Sequence, residues 1–251
     1  YYTPPTDFLA LCTSNLPEPA VIPSEHFNTV LWTGNGSTNA ITGVGFQPDL
    51  VWTKVRNTTY DHYLEDAVRG ATKVTYANKT DAEDTIAAGL TAFGADGFTL
   101  STEAGHNQDT RPYVAWNWKA NGASTVTNDA GTVDSEVSVN TDAGFSIVSW
   151  AASDNSHTVG HGLSQAPDLI IHAPRSFVGS KHVYTTTLGT ADTLVLNTDT
   201  NPAAEAGYFP TVNATLFQPG SSVASASSHT YIAYCFHSVD GYSKMGGYTG
   251  N

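Results

Sequence analysis

The chain has 251 residues, enough for one large β domain or two small ones, and only 13 % of them are charged, against roughly 25 % in an average soluble protein. Thr, Ser, Asn and Gly replace the missing charge, a mix that favours strands and turns over helices. A net charge of −13 repels phosphate backbones and anionic membrane surfaces, which argues against nucleic-acid binding and membrane insertion.

The first 25 residues carry Pro4, Pro5, Pro17, Pro19 and Pro23. Proline fixes φ and removes a donor, so residues 1–25 are expected to form an extended arm or linker. The sequence opens at Tyr1 rather than Met, and a fragment or processed product is expected. The two cysteines, Cys12 and Cys235, lack metal-type spacing, and free thiols are expected.

From residue 26 onward the chain repeats itself. Phe27-Asn28-Thr29-Val30-Leu31-Trp32 matches Phe145-Ser146-Ile147-Val148-Ser149-Trp150, an offset of 118 residues. The Pro48-Asp49-Leu50-Val51 block returns at Pro167-Asp168-Leu169-Ile170, and Arg56 returns at Arg175. Tyr113-Val114-Ala115-Trp116-Asn117-Trp118 matches Tyr231-Ile232-Ala233-Tyr234-Cys235-Phe236. Two pseudo-repeats of about 118 residues are therefore expected, at 27–140 and 145–251, inside one domain over 26–251.

Each block reads as a strand. Leu50-Val51-Trp52 and Leu169-Ile170-Ile171 are continuous apolar runs, as in strands covered on both faces. Val114, Trp116 and Trp118 alternate with Ala115 and Asn117, so the large side chains are expected to form the buried face. Trp32 and Trp150 are likewise expected in the core. Asp81 to Leu90 is the one predicted helix, with acids at its start. Many short strands separated by Gly, Asn and Pro make the expected fold all-β, a β-sandwich or jelly-roll-like module.

Candidate chemistry is sparse. No Gly-x-Ser-x-Gly elbow, P-loop or Rossmann fingerprint occurs. Glu65-Asp66 and Asp81-Glu83-Asp84 could supply a glycosidase pair, but solvated or capping roles are expected. His157 and His161 are four residues apart and His172 lies eleven further on, but Gly160 and Gly162 flank His161 and no zinc-binding helix is plausible there, so neither metal nor other cofactor is expected. The polar stretch from Asn128 to Glu136 departs from the EF-hand spacing and reads as a hinge between the copies. His62 and His182 lie at nearly the repeat offset and are expected to share a structural role, with His182 also offered to a ligand. Tyr60, Tyr63, Tyr76 and Tyr208 fall outside the patterned blocks and, with His182, are the predicted ligand-binding surface. Asp49 and Asp168 are expected to cap turns, with Arg56 and Arg175 in solvent. The competing arrangement pairs Asp49 with Arg175 and Asp168 with Arg56.

The run from His26 to Thr38, the Gly45-Phe46-Gln47-Pro48-Asp49-Leu50-Val51-Trp52 block, Val159-Gly160-His161-Gly162-Leu163, Tyr231 to Phe236 and the closing Gly247-Tyr248-Thr249-Gly250-Asn251 resemble an uncharacterised domain of bacteriophage tail fibres and other virion structural proteins, of marine type. Tyr2-Thr3-Pro4-Pro5-Thr6-Asp7-Phe8 resembles the end of a SPRY-like domain that precedes it. The resemblance implies a non-enzymatic structural module on the virion surface, extracellular once assembled. Its implied partners are other virion proteins in a homo-oligomeric, trimeric fibre and a host-surface glycan. A stand-alone lectin-like domain is the alternative, and a carbohydrate-active enzyme a weaker one.

Overall fold

The computed structural model describes residues 21–154, 156–190, 192–198, 207–220 and 228–248. Cys12 and most of the proline-rich arm, with the expectations for them, lie outside the described residues. A short 3-10 turn at Pro23–Glu25 leads into β1 (Phe27–Thr33) and β2 (Asn39–Ile41). Then come β3 (Leu50–Val55), β4 (Tyr63–Asp66), β5 (Lys73–Tyr76), β6 (Asp84–Thr85), β7 (Leu90–Gly94) and β8 (Gly97–Leu100). One turn of helix, α1 (Ala104–Asn107), precedes β9 (Pro112–Trp118).

The second half holds β10 (Val126–Asn128), β11 (Ser135–Asn140), β12 (Phe145–Ala151), β13 (Val159–Gly160) and β14 (Leu169–Pro174). It ends with β15 (His182–Thr185), β16 (Leu194–Val195), β17 (Thr211–Val212), β18 (Leu216–Gln218) and β19 (Thr230–Phe236). The expected all-β class is what the chain adopts.

Two large antiparallel sheets dominate, ordered β1-β9-β3-β4-β5-β6 and β10-β11-β12-β19-β14-β15-β16, each accompanied by a three-stranded sheet, β2-β8-β7 and β13-β18-β17. The order β1-β9-β3-β4-β5 in the first large sheet is matched by β12-β19-β14-β15-β16 in the second, which adds β10 and β11 and has no strand in the place of β6. Trp118 stands opposite Phe27 on one side and Leu50 on the other, and Phe236 stands opposite Phe145 and Leu169. Turn bonds recur with the strands: the Asp49 amide donates to the Trp118 carbonyl at 2.8 Å, and the Asp168 amide to the Phe236 carbonyl at 2.7 Å.

Alternation sorts the side chains into layers. Leu50 and Leu64 from the first sheet meet Phe145, Ile147, Ile232, Tyr234 and Phe236 from the second, which packs the large sheets face to face. On the far face of the first sheet, Val30, Val51 and Ala115 pack under Ile41, Phe98 and Leu100 of the small sheet. On the far face of the second, Val148, Trp150, Ile170 and Tyr231 pack under Val159 and Phe217. The small sheets thus bury faces that a simple two-layer sandwich leaves wet.

Several expectations are corrected here. Residues 81–90 are not helical. The Glu83 amide donates to the Arg175 carbonyl and the Ile86 amide to the Thr72 carbonyl, so their donors serve neighbouring segments instead of an i−4 ladder. The first unit does not extend to residue 140: β10 and β11 pair with β12 and belong to the second sheet, so Asn128 to Glu136 joins two strands of one sheet instead of hinging two copies. In β9 the fully buried face is Tyr113, Ala115 and Asn117, and Trp116 and Trp118 are only half-buried. The far face carries a complete covering sheet, whereas Trp116 belongs to neither core cluster. Among the expected core tryptophans, Trp150 is buried at 4 % exposure and Trp32 is half-buried.

Candidate functional site

Glu65 and Asp66 do point to opposite sides of β4, but neither is solvated; both are fully buried. Glu65 Oε2 lies 3.0 Å from His106 Nε2. Asp66 accepts from the Arg69 guanidinium and amide and, at 2.8 Å, from the Tyr234 hydroxyl of the other half. Arg69 donates onward to the Leu64 carbonyl at 2.8 Å and to Glu83 at 3.3 Å. Glu83 then accepts Arg175 at two points, Nε at 2.8 Å and Nη2 at 3.1 Å, while Arg175 Nη1 donates to Ser149 Oγ at 2.9 Å. Burial pushes the Glu83 carboxyl up, but the Arg175 hydrogen bond and the Arg69 charge overcome it and hold it below the usual carboxylate range. These residues form one ionic seam between the halves.

The proposed Asp49–Arg175 and Asp168–Arg56 pairs do not form. Asp49 Oδ2 accepts the amides of Ala120 at 2.6 Å and Gly122 at 3.1 Å, and Asp168 Oδ2 accepts the Ser238 amide at 2.7 Å. Asp49 therefore fastens the loop that follows β9, and Asp168 the loop that follows β19. Burial raises the Asp49 pKa against the pull of those amides. Arg56 is exposed, as expected, but Arg175 is not in solvent; it belongs to the seam.

His62 and His182 do not occupy equivalent places. Register pairs Thr53 with Tyr63 and His172 with His182, so His182 stands where Tyr63 stands, one step from His62. The residue equivalent to His62 is Lys181, which is fully buried and donates Nζ to the carbonyls of Asp81 at 2.7 Å and Gly179 at 3.2 Å. Burial lowers its pKa to about 8. The repeated side chain there is an asparagine that sequence reading missed: Asn78 Oδ1 accepts the His62 amide at 2.9 Å, and Asn197 Oδ1 accepts the Lys181 amide at 2.7 Å. The signal was available, because both asparagines follow a strand by one or two residues at the repeat offset.

The five predicted ligand residues fall in three separate settings. Tyr60 is exposed, its hydroxyl 3.4 Å from Gln108 Oε1. Tyr63 and Tyr76 are buried at 4 % and 7 % exposure, contrary to the expected surface placement. They face each other across β4 and β5, with Tyr63 against His106 and the Tyr76 hydroxyl donating to Asp84. Gly105 lies so close to Tyr63 that a Cβ would sit 2.0 Å from the hydroxyl, which closes this group to a ligand. His182 and Tyr208 come together in the other half, their rings stacked 4.2 Å apart.

His182 also lines a cleft of about 220 Å³ beneath the β14–β15 loop, together with His172, Pro174, Phe177, Gly179 and Ser180. The loop is tied at both ends. The Arg175 amide donates to the Thr230 carbonyl at 2.8 Å, and the Gly179 amide to the Thr80 carbonyl at 2.7 Å. His172 forms the floor. Its ring is fully buried, stacked 5.1 Å from Tyr231, and burial lowers its pKa to about 3, so the imidazole is neutral. Sequence reading weighed His172 only as the third histidine of a rejected metal set, because nothing in its apolar strand run marks a cleft.

His157 and His161 are structural. His157 Nε2 accepts the Trp150 indole at 3.0 Å, and His161 Nδ1 accepts the Leu163 amide at 3.1 Å. Among the described residues, no group of three or more His, Cys, Asp or Glu is arranged to hold a metal ion. Cys235 is a free, buried thiol whose pKa burial pushes up. Among those residues no helix is long and apolar enough to cross a membrane.

Paired large sheets, flanking small sheets and an internal ionic seam define an all-β sandwich module with one histidine-lined cleft. By sequence the chain belongs to DUF7483, a family described as a domain of unknown function, whose profile matches residues 22–251. No curated protein and no solved structure gives a significant match.

Proposed function

We propose that this chain is a structural module of a phage tail fibre or related virion appendage, displayed on the virion surface and contributing to recognition of a host-surface glycan. The observation that carries the reading is the seam. The carboxylates of Asp66 and Glu83, two of the candidates for acid–base chemistry, are tied to the guanidinium groups of Arg69 and Arg175 between the halves. A catalytic pair needs access to substrate and groups within reach of the transferred proton. These groups instead fasten two sheets into one block, the property an appendage under mechanical force needs. The resemblance of the His26–Thr38 and Gly45–Trp52 segments to fibre domains supports the same reading, with other virion proteins as neighbours and a homo-oligomeric, trimeric assembly.

Electron microscopy of intact particles labelled against this chain tests the assignment. Label on an external appendage is expected. Label confined to the capsid interior, or particles carrying none, overturns it.

A further inference from the structure

We infer that the cleft between the β14–β15 loop and the second large sheet binds a single neutral, hydroxyl-bearing sugar ring, with His172 at its floor and Phe177 at its wall. The inference rests on the recognition half of the proposed function and supplies it with a site and a ligand class.

The first observation is unmet hydrogen bonding. Both ring nitrogens of His172 are buried and have no hydrogen-bond partner, and the same holds for the hydroxyl of Tyr231 stacked on it. His229 Nδ1, on the ring that stacks 4.4 Å from Phe177, is a further unpartnered atom. Buried polar groups in native proteins nearly always have partners, and one without marks a water, an ion or a ligand. His157, in the same half, shows the contrast: both of its nitrogens are engaged, one by Trp150 and one at the Asp154 carbonyl.

The second observation is the shape. A Cβ on Gly179 would come within 3.1 Å of both the Phe177 ring and Pro174, so the glycine keeps open a gap that any larger residue would narrow. Val178, 68 % exposed, sits at the rim, and the loop is held in place by Thr230 and Thr80. Preformed concave sites with aromatic walls and a few fixed polar groups are where small ligands bind.

The third observation sets the ligand class. A neutral imidazole offers one donor and one acceptor, and the Ser180 hydroxyl at the cleft offers both, which matches the dual character of sugar hydroxyls. Phe177 supplies a flat apolar wall for the C–H face of a pyranose. Among the described residues no Lys or Arg head group lines the cleft: Lys181 turns to the Asp81 and Gly179 carbonyls, and Arg175 to Glu83 and Ser149. An acidic sugar would therefore find no counter-charge.

The test uses the full chain and histidine-ring nitrogen NMR, titrated with the methyl α-pyranosides of glucose, galactose and mannose, and separately with dextran. A saturable shift of the His172 ring signals with at least one glycoside, His157 remaining still, is the expected result. A dextran response as well indicates a polymer-borne unit, and a response to glycosides alone indicates a free sugar; either supports the site. Gly179→Val, which fills the gap without removing a polar group, is expected to weaken the response at least tenfold while leaving the His157 signals in place. His172→Phe, which keeps an aromatic ring at the floor, is expected to abolish binding followed through the His229 signals.

The inference is overturned if no neutral glycoside moves His172, which would leave water alone in the cleft. It is equally overturned if Gly179→Val binds as the parent does, if sialic acid binds as well as the neutral sugars, or if zinc chloride alone produces the shift. Particles with labelled appendages and no sugar response would remove the cleft and keep the fibre assignment, so the two failures are distinguishable.

Discussion

Arg175 grips Glu83 at two points, Nε to Oε2 at 2.8 Å and Nη2 to Oε1 at 3.1 Å, so a side chain of the second half is fastened to a loop of the first. The pair is partly shielded, and Glu83 is shared with the buried Arg69. A double-mutant cycle on Glu83→Ala and Arg175→Ala is expected to give a coupling of about 1–3 kcal/mol, above the roughly 0.2–1 kcal/mol of exposed pairs. The same cycle on Asp49→Ala and Arg175→Ala should give a value near zero, because those two share no contact. A Glu83–Arg175 coupling as small as the Asp49 control would mean that the seam contributes nothing to holding the halves.

Asp49 and Asp168 perform one task to different depths. Asp49 is fully buried and accepts two amides, whereas Asp168 is half-buried and accepts one. Hydrogen bonds to a charged group contribute about 1.5–3 kcal/mol each at most, and orphaned buried amides add to the loss. Asp49→Ala is expected to destabilise by about 2–4 kcal/mol and Asp168→Ala by about 1–2 kcal/mol. Urea unfolding measures both; a reversed ranking would show that capping is not what these carboxylates do.

The tryptophans should rank by cover. Trp150 is buried, packs against Phe217 and Tyr231, and donates its indole N–H to His157. Its replacement by Ala is expected to cost about 3–5 kcal/mol. Trp116 lies on the half-buried face, and Trp116→Ala should cost about 1–2 kcal/mol. Equal losses in chemical denaturation would place Trp116 in a core that its partial exposure argues against.

Acid sensitivity should begin in the histidine range. The unfolded chain protonates His172 near 6.5, whereas the folded chain resists protonation down to about 3 because the ring is buried. A depressed folded-state pKa gives stability that is complete above 6.5 and is lost progressively as pH falls from there toward 3. His161 and His62 are lowered by burial too and contribute in the same direction. The Glu83 carboxylate adds its own loss only below its usual range near 4.5. Urea midpoints taken at about pH 7 and about pH 5 should fall in the parent and fall less in His172→Phe. Identical slopes would show that His172 is already protonated, or solvated, in the native state.

The strand blocks were legible because each keeps its order, register and apolar spacing. Leu50-Val51-Trp52 and Leu169-Ile170-Ile171 are internal strands of their sheets, as continuous apolar runs should be. What misled was phase and partnership. Alternation in Tyr113–Trp118 gave the strand but not which face the small sheet would cover, since size alone favoured the tryptophans. Asp81–Leu90 has helix-like caps, yet its amides are claimed by Arg175 and Thr72, residues distant in sequence. Glu65 and His106 become partners only through folding, and the spacing of His172 from His157 and His161 raises a metal reading but says nothing of a cleft. Long-range pairing of polar groups leaves no local pattern, which is why the seam and the cleft had to be seen in three dimensions.

β19 occupies the middle of its sheet, between β12 and β14, yet it is the last strand of the described chain. During synthesis, β12 and β14 emerge with their facing edges bare and must wait about 80 and about 60 residues respectively for the strand that joins them. Pairings closed over such distances form slowly, and unpaired edges invite association with other chains. The first half meets the same delay through β9, which joins β1 to β3. Any product truncated ahead of Thr230 therefore lacks the keystone of its second sheet and is expected to be lost to aggregation instead of surviving as a shortened module.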